Sequence, residues 1–409
     1  MISRTLAFVR QFDRNLWILS SGWFISAMGF ATSIPFIAIY FNEHFGMSMT
    51  EIGLFFGLMA VIRSLFQAIG GEVSDRIERR KLLICAQMLR SVAFLLMALG
   101  ISFDWGFLWV GGTLLVNSVF GAIFQPAANA MVSDIVPVER RLEGYAITRS
   151  AGNLGWAVGP AIGGFLAKSS YALLFYISSG LTLASGLIIF LFLVSPAVAK
   201  TQDRFRMRDI LVVKDDINFA WHAGLIFLLY LVVAQLIAPF SLYSVQMVGI
   251  SESDLGLLYT LNGLLVVTLQ LPMTRLLSRY RLTTQLAMGS LIYAIGYSMV
   301  GYLVGFGFFV FAICIITMGE IFMSPPSLAL TSRLAPEGRM GRYMGVFGFF
   351  VASGWSFGPL YGGFILDRLS GNHGLAWAMI SLLALLSAIG YFYFGKRLPD
   401  RFNVGNNST

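Results

Sequence analysis

The residues best suited to chemistry in this sequence are two acidic side chains within long apolar runs, Glu320 and Asp134. Glu320 lies about twelve residues, or ~18 Å along a helix, inside its run, and Pro325 and Pro326 follow it. A carboxyl group in hydrocarbon is costly, so its presence indicates a function such as carrying a proton. The double proline predicts a broken helix that lines a cavity. We predict proton coupling at Glu320, with a structural ion pair as the alternative, and at Asp134, with a solvated helix-end position as the alternative.

Other polar side chains within apolar runs are candidates for lining a substrate cavity. The set comprises Arg149, Asn117, Gln125, Asn153, Gln235 and Asn262. For each amide, a hydrogen bond between helices is the alternative role. Arg63 and Arg90 also fall inside such runs. A long arginine stem can reach the membrane surface from there, so for Arg90 a structural role is at least an equal alternative.

The composition and the short motifs exclude several classes of protein. Of 409 residues, 57% are hydrophobic and 12% are charged, which fits neither a soluble enzyme nor a disordered chain. The two cysteines and three histidines lack the spacing of a metal or redox site. Gly390, Gly395 and Lys396 have the spacing of a phosphate-binding loop, but Arg397 replaces the serine or threonine that such a loop needs. We therefore expect no enzyme, no metal and no cofactor, with an ion gradient as the energy source.

Apolar runs long enough to cross about 30 Å of hydrocarbon recur along the whole chain. They are continuously apolar, which favours helices over the alternating strands of a barrel. We predict twelve spans at 16–41, 50–72, 82–103, 107–133, 142–167, 171–194, 218–242, 254–278, 284–306, 308–333, 340–366 and 374–395.

The lysines and arginines predict how the spans are oriented. With the N-terminus inside, 23 of the 28 fall in loops on the cytoplasmic side, and only Lys168 and Arg368 fall on the other side. Basic residues mark cytoplasmic loops, so we expect a multi-pass protein of the plasma (cell inner) membrane with both termini in the cytoplasm. The net charge of +8 is therefore a topology signal, and we expect no nucleic-acid partner.

A glycine and proline pattern occurs once in each half of the chain, at an offset of 199 residues. Its members are Gly155, Gly159, Pro160 and Gly163, and then Gly354, Gly358, Pro359 and Gly362. Glycines at every fourth position let helix backbones approach closely, and a proline permits a kink, so we predict hinge and packing roles, with simple packing as the alternative. The repeat predicts an all-α membrane protein with twelve transmembrane helices in two pseudo-symmetric six-helix bundles, residues 1–194 and 218–409. Residues 195–217 form a cytoplasmic linker, with a regulatory or partner-binding loop as the alternative.

At these residues the sequence resembles the 12-span drug:proton antiporters of the major facilitator superfamily. The run from Gly155 to Gly164 is similar to motif C of these antiporters, and Gly71 to Lys81 is similar to motif A of the superfamily. Motif A usually has a glycine where this chain has Glu78. The fourth span of the family often has an arginine four residues before a glycine, whereas here Asn117 precedes Gly121.

The resemblance implies the major facilitator fold and an inner-side latch formed by Asp75, Arg76 and Arg79, with a solvated basic turn as the alternative. Together with Glu320 it predicts a proton-coupled antiporter for multidrug efflux, which exports amphipathic small molecules or drugs by alternating access. The alternatives are a proton symporter or facilitator for a metabolite such as a sugar or organic ion, and a membrane receptor or lipid flippase. We expect protons, membrane lipids and a small-molecule substrate as partners, and a monomer.

Overall fold

The computed structural model describes residues 11–137, 140–194, 216–302, 304–336 and 339–403, and in this part of the chain the regular structure is helical. Twelve long helices follow one another. They are α1 (Arg14–Phe45), α2 (Met49–Arg76), α3 (Arg79–Ser102), α4 (Phe107–Ile135), α5 (Arg141–Ala167), α6 (Tyr171–Phe192), α7 (Ile217–Val233), α8 (Glu252–Leu277), α9 (Leu282–Val300), α10 (Phe306–Leu334), α11 (Met340–Arg368) and α12 (His373–Arg397). Eleven of the twelve helices match the predicted spans to within six residues at each end, whereas α7 ends at Val233, nine residues before the predicted end of its span at 242. A final turn covers Asp400–Asn403.

Within the described residues, ten segments are long and apolar enough to cross a membrane on length and composition alone. The helices outside that set are α5, with 27 residues, and α9, with 19 residues. At 1.5 Å per residue these two helices are about 40 Å and 28 Å long, close to or above the thickness of the hydrocarbon layer. The predicted all-α membrane fold is confirmed.

The turns between helices repeat in the two halves of the chain. Gly106 precedes α4 with φ of 83°, and Gly305, 199 residues later, precedes α10 with φ of 88°. Gly46 and Gly249 have φ of 64° and 77° in the turns before α2 and α8. These values lie in the left-handed region that glycine enters without a steric penalty, so the sequence repeat extends to the backbone of the turns.

Helix α10 contains two consecutive prolines, Pro325 and Pro326. The expectation of a broken helix at Pro325 and Pro326 is wrong, because α10 continues through both residues. The carbonyl group that Pro325 leaves without its helical donor belongs to Ile321, and Gln270 of α8 donates to it at 3.3 Å.

The seventh span has an irregular end instead. After α7 the chain passes through a 3-10 turn, a short helix at Pro239–Leu242 and a π turn at Tyr243–Met247. The side chain of Gln235 donates to the carbonyl of Leu231 at 2.6 Å, and Pro239 has no N–H to donate, so the regular α ladder stops here.

The chain divides into two compact units. The first takes in Met1–Tyr40, Ile62–Gln202 and Ser251–Gly263, and the second takes in Phe41–Val61, Asp203–Ile250 and Leu264–Thr409. Each unit therefore combines most of one half of the chain with a short piece of α2 or α8 from the other half. The predicted boundaries of two six-helix bundles at 194 and 218 stay a prediction.

In the first unit, the glycine row on α5 lies directly against the backbone of α1. A Cβ atom on Gly155 would lie 2.6 Å from the carbonyl oxygen of Phe24, and one on Gly159 would lie 2.6 Å from that of Met28. Gly163 meets the next turn of α1 in the same way. The row has no room for any larger residue, as the small-residue helix contacts of membrane proteins require.

In the second unit, the corresponding row on α11 lies against α7. A Cβ atom on Gly354 would lie 2.5 Å from the Cβ of Tyr230, and one on Gly358 would lie 2.7 Å from the carbonyl oxygen of Leu231. Gly362 faces the side chain of Gln235. The repeated sequence pattern therefore corresponds to one repeated helix contact, α1 with α5 and α7 with α11.

We predict that Gly159→Ala and Gly358→Ala lower the apparent melting temperature of the purified protein in detergent. Overpacking of this kind costs about 1–3 kcal/mol. Gly180→Ala in α6 and Gly224→Ala in α7 are matched controls, because a Cβ atom at either position meets nothing within 4 Å. The controls should be neutral or stabilising by about 0.5–1 kcal/mol, since alanine favours a helix over glycine. Equal melting temperatures for all four variants would contradict the packing role.

Candidate functional site

Glu320 is the central residue of α10 and is partly buried within the second unit. Its carboxyl group lies close enough to the hydroxyl group of Tyr293, on α9, to interact with it electrostatically. The two helices touch beside it, because a Cβ atom on Gly319 would lie 2.9 Å from the ring of Tyr293. The glycine before Glu320 therefore brings a tyrosine of the neighbouring helix next to the acid.

Aromatic rings extend from this tyrosine through the interior of the second unit. Tyr293 stacks on Tyr297, with centroids 5.9 Å apart and planes at 9°, and Tyr297 stacks on Trp377 at 6.0 Å. Tyr230 of α7, in the same unit, packs against Trp355, with ring centroids 6.5 Å apart. The stacked rings are buried, whereas Tyr230 and Trp355 are partly buried. The carboxyl group beside Tyr293 can exchange a proton or attract a cation, and the partly buried rings can offer apolar and cation–π contact.

Asp134, the second predicted coupling group, forms an ion pair with Arg79, which we predicted as a latch residue. The side chains are 8% and 13% exposed, so the pair is largely withdrawn from solvent. Arg79 also donates to the carbonyl oxygen of Ala130 at 3.0 Å. The pair ties the start of α3 to the last turns of α4, which gives Asp134 a structural task; its part in proton coupling stays a prediction. The side chains of Asp75 and Arg76 lie outside the described part of the structure.

The predicted cavity residues divide by burial. Asn117 and Gln235 are fully buried and make hydrogen bonds between helices: Asn117 donates to the carbonyl of Arg90 at 3.1 Å, and Gln235 to that of Gly358 at 2.7 Å. This is the alternative role considered for the amides. The other members are partly buried or, for the arginine, exposed: Gln125, Asn153, Asn262 and Arg149.

One polar cluster in the second unit was missed because its members are far apart in sequence. His222 of α7 is fully buried, and its Nδ1 lies 3.0 Å from the hydroxyl of Tyr391 on α12. Its Nε2 lies 3.1 Å from the carbonyl oxygen of Ser327 and 3.0 Å from the hydroxyl of Thr331, both on α10. A single histidine in an apolar run therefore joins three helices. The one signal in the sequence was that an ionisable histidine lies within an apolar run, where a charged side chain has a high free-energy cost.

A second missed contact lies where α2 begins and α11 ends, also in the second unit. The carboxylate of Asp367 accepts hydrogen bonds from the backbone N–H of Thr50 at 2.7 Å and from its hydroxyl group. An acid at a helix N-terminus satisfies a free N–H group and suits the helix dipole. Only the fold brings these positions together, since 317 residues separate them.

The described residues hold no group of three or more histidine, cysteine or acidic side chains that suits a metal ion. Cys85 and Cys314 are both free thiols. The ionisable groups well inside the spans include Glu320 and His222 in the second unit, and Arg63, Arg90 and Arg149 in the first.

Comparisons with known proteins agree with this geometry. The family pattern described as "Major Facilitator Superfamily" matches residues 19–359 and 223–406. The chain is 30% identical to the uncharacterized MFS-type transporter YttB of Bacillus subtilis, over 91% of this chain and 92% of the relative. It is 23% identical to the multidrug resistance protein MdtH of Shigella dysenteriae, over 91% and 93%. It is also 23% identical to a Na(+), Li(+), K(+)/H(+) antiporter of Planococcus maritimus, over 97% and 99%.

The fold is also similar to solved structures. A crystal structure of the peptide transporter POT in complex with sulfate superimposes with a TM-score of 0.78 at 15% identity, covering 94% of each chain. At this identity the likeness concerns the fold alone.

We predict that the Arg79–Asp134 pair stabilises the protein through mutual compensation of two buried charges. Arg79→Gln or Asp134→Asn alone leaves a buried charge without its partner, a loss of about 3–5 kcal/mol. The double variant should lose less than the sum of the two single variants, as thermal unfolding in detergent can measure. Glu78→Gln with Lys81→Met is the matched control, because that pair is 36% and 70% exposed and should have little effect. Additive losses in the Arg79 and Asp134 variants would contradict the interaction.

Proposed function

The chain belongs to the Major Facilitator Superfamily, and we propose that it is a proton-coupled antiporter that exports amphipathic small molecules. Membership of the superfamily makes it a membrane transporter and not an enzyme. The observation that carries the proposal is Glu320 at the centre of α10, next to Tyr293 and the ring stack behind it. The similarity to a multidrug resistance protein and to a cation/proton antiporter supports the same mechanism.

In the proposed mechanism, a proton and the substrate bind at Glu320 alternately and not at the same time. A proton neutralises the carboxyl group when the site faces the acidic side of the membrane. A cationic substrate compensates the charge of the carboxylate and so favours release of that proton on the other side. Because a charge in hydrocarbon is costly, the carboxyl group is best occupied by one or the other during the conformational change. The proton gradient then drives export, and no cofactor takes part.

The conformational change requires helices that move as packed pairs. In the proposal, α1 moves with α5 and α7 moves with α11, because their glycine rows hold the backbones in direct contact. Gly155 to Gly163 and Gly354 to Gly362 act as hinge and packing segments, and Asp75, Arg76 and Arg79 close the inner side. We propose a monomer of the plasma membrane with both termini in the cytoplasm, in line with the charge asymmetry of the loops.

The second candidate is a proton symporter or facilitator for a metabolite. The transporter fold supports it equally, since the POT structure with the same fold is that of a peptide transporter. The direction of proton movement relative to substrate distinguishes the two candidates, and a facilitator needs no proton gradient at all.

We predict that purified protein in proteoliposomes moves ethidium towards the acidic side of an imposed pH gradient, while protons move in the opposite direction. A fluorescent pH indicator inside the vesicles and ethidium fluorescence give both fluxes in one sample. Glu320→Gln should abolish the coupling, because the neutral amide cannot exchange a proton. Glu143→Gln is the matched control, because Glu143 is an exposed acid at the start of α5, 51% exposed and paired with Arg140.

The outcomes separate the candidates. Ethidium and protons moving in the same direction would favour the symporter, and movement without a pH gradient would favour the facilitator. Full coupling in Glu320→Gln would exclude Glu320 as the proton carrier.

A further inference from the structure

The first unit holds two arginines at the middle of their membrane-spanning helices. Arg63 lies near the centre of α2, and Arg90 lies near the centre of α3. Arg90 is 6% exposed and Arg63 is partly buried. The two guanidinium groups are close enough to act on each other electrostatically. The two positive charges repel each other, and this repulsion is strong where the dielectric constant is low.

The hydrogen bonds that both groups donate go to neutral acceptors. Arg90 Nη1 donates to the hydroxyl of Ser26 at 2.9 Å and to Oε1 of Gln87 at 3.2 Å, and the ring of Phe30 lies 5.7 Å from its Cζ. Arg63 Nη2 reaches Oε1 of Gln125 at 3.4 Å. Among the residues that the structure describes, neither arginine is paired with a carboxylate. Arg90 does not snorkel, and its Nε is buried without a hydrogen-bond partner.

Gly121 of α4 lies directly beside this unpaired donor. A Cβ atom on Gly121 would be in van der Waals contact with the guanidinium group, 3.5 Å from Nε and 3.7 Å from Cζ of Arg90. Asn117, one turn before this glycine, holds the backbone of Arg90 against α4 through its hydrogen bond of 3.1 Å. The fourth span lacks the arginine that is often found there in the family that the sequence resembles. In this structure the guanidinium group beside Gly121 belongs to Arg90 of α3.

We propose that Arg63 and Arg90 form a binding site for an amphipathic anion, a carboxylate or sulfonate carried on an apolar body. Such an anion supplies the missing countercharge, and planar guanidinium groups bind these oxygens with strong, charge-assisted hydrogen bonds. Arg63 is partly exposed and provides access, Arg90 offers the buried unpaired Nε, and Phe30 offers an apolar surface. This anion site lies in the first unit, whereas Glu320 lies in the second, so the proposal goes beyond the transport of a cation proposed above. Binding at this site is measurable without any transport.

The test uses isothermal titration calorimetry on the full chain in phosphatidylcholine nanodiscs. The probes are naphthalene-2-sulfonate, which has a fixed negative charge, and naphthalene-2-sulfonamide, which has the same ring system and no charge. We expect the sulfonate to bind at least about tenfold more tightly than the sulfonamide, as a charge-assisted hydrogen bond in a buried site requires.

The variants assign this difference to the two arginines. Arg63→Gln and Arg90→Gln should each weaken sulfonate binding by about tenfold or more and leave the sulfonamide unchanged, whereas Arg63→Lys should retain most of the affinity. Arg368→Gln, which removes an exposed charge at the end of α11, is the control and should bind both probes like the wild type. If Arg90→Gln fails to fold, as its melting curve would show, Arg63→Gln carries the test, since its side chain is only partly buried.

Unchanged sulfonate binding in Arg63→Gln, or an equal loss for both probes, would overturn the proposal. Loss of wild-type sulfonate binding on adding phosphatidylglycerol to the nanodiscs would also overturn it, because the occupant would then be a lipid headgroup. Displacement by millimolar inorganic sulfate alone, with no preference for the naphthalene body, would likewise contradict a site for an amphipathic anion. Proton-driven ethidium transport without sulfonate binding would reject the anion site and leave the antiport function standing.

Discussion

The free-energy cost of an uncompensated charge in hydrocarbon is the constraint on which this structure depends. Most lysines and arginines lie in loops or near the ends of helices, and the charges of the buried pair Arg79 and Asp134 compensate each other. Well inside the spans, the ionisable groups include Glu320 and His222 in the second unit, and Arg63, Arg90 and Arg149 in the first. The Nε of Arg90 is buried without a hydrogen-bond partner. In the proposals above, a proton or a cation binds at Glu320, and an anion binds at Arg63 and Arg90.

Close contact between helix backbones is the second requirement, because the charged side chains must be held at fixed depths. The glycine rows on α5 and α11 remove side chains from two equivalent contacts and bring α1 and α7 against them. Single glycines serve the charged sites in the same way. Gly319 allows the ring of Tyr293 to approach α10 beside Glu320, and Gly121 allows the guanidinium of Arg90 to pack against α4. Small residues thus position the groups that carry the chemistry.

The fold was predictable because its signals are local in sequence. Apolar length places the helices, and a pattern repeated at 199 residues identifies equivalent helices in the two halves. The site was predictable only as a set of separate residues. Nothing in the sequence near Asp134 indicates Arg79 as its partner, and nothing near Arg90 indicates that its side chain lies beside Gly121, because both contacts depend on tertiary packing. The prolines of α10 misled for a related reason: a side chain of another helix, Gln270, satisfies the carbonyl that Pro325 leaves free.

The central claim is that substrate and proton compete through Glu320. Its most direct test is a pH measurement on purified protein in weakly buffered detergent solution while ethidium is added. Competition predicts that ethidium releases protons from the wild type and from Glu143→Gln, and releases none from Glu320→Gln. Ethidium binding to the wild type without proton release, or equal release from Glu320→Gln, would contradict the claim.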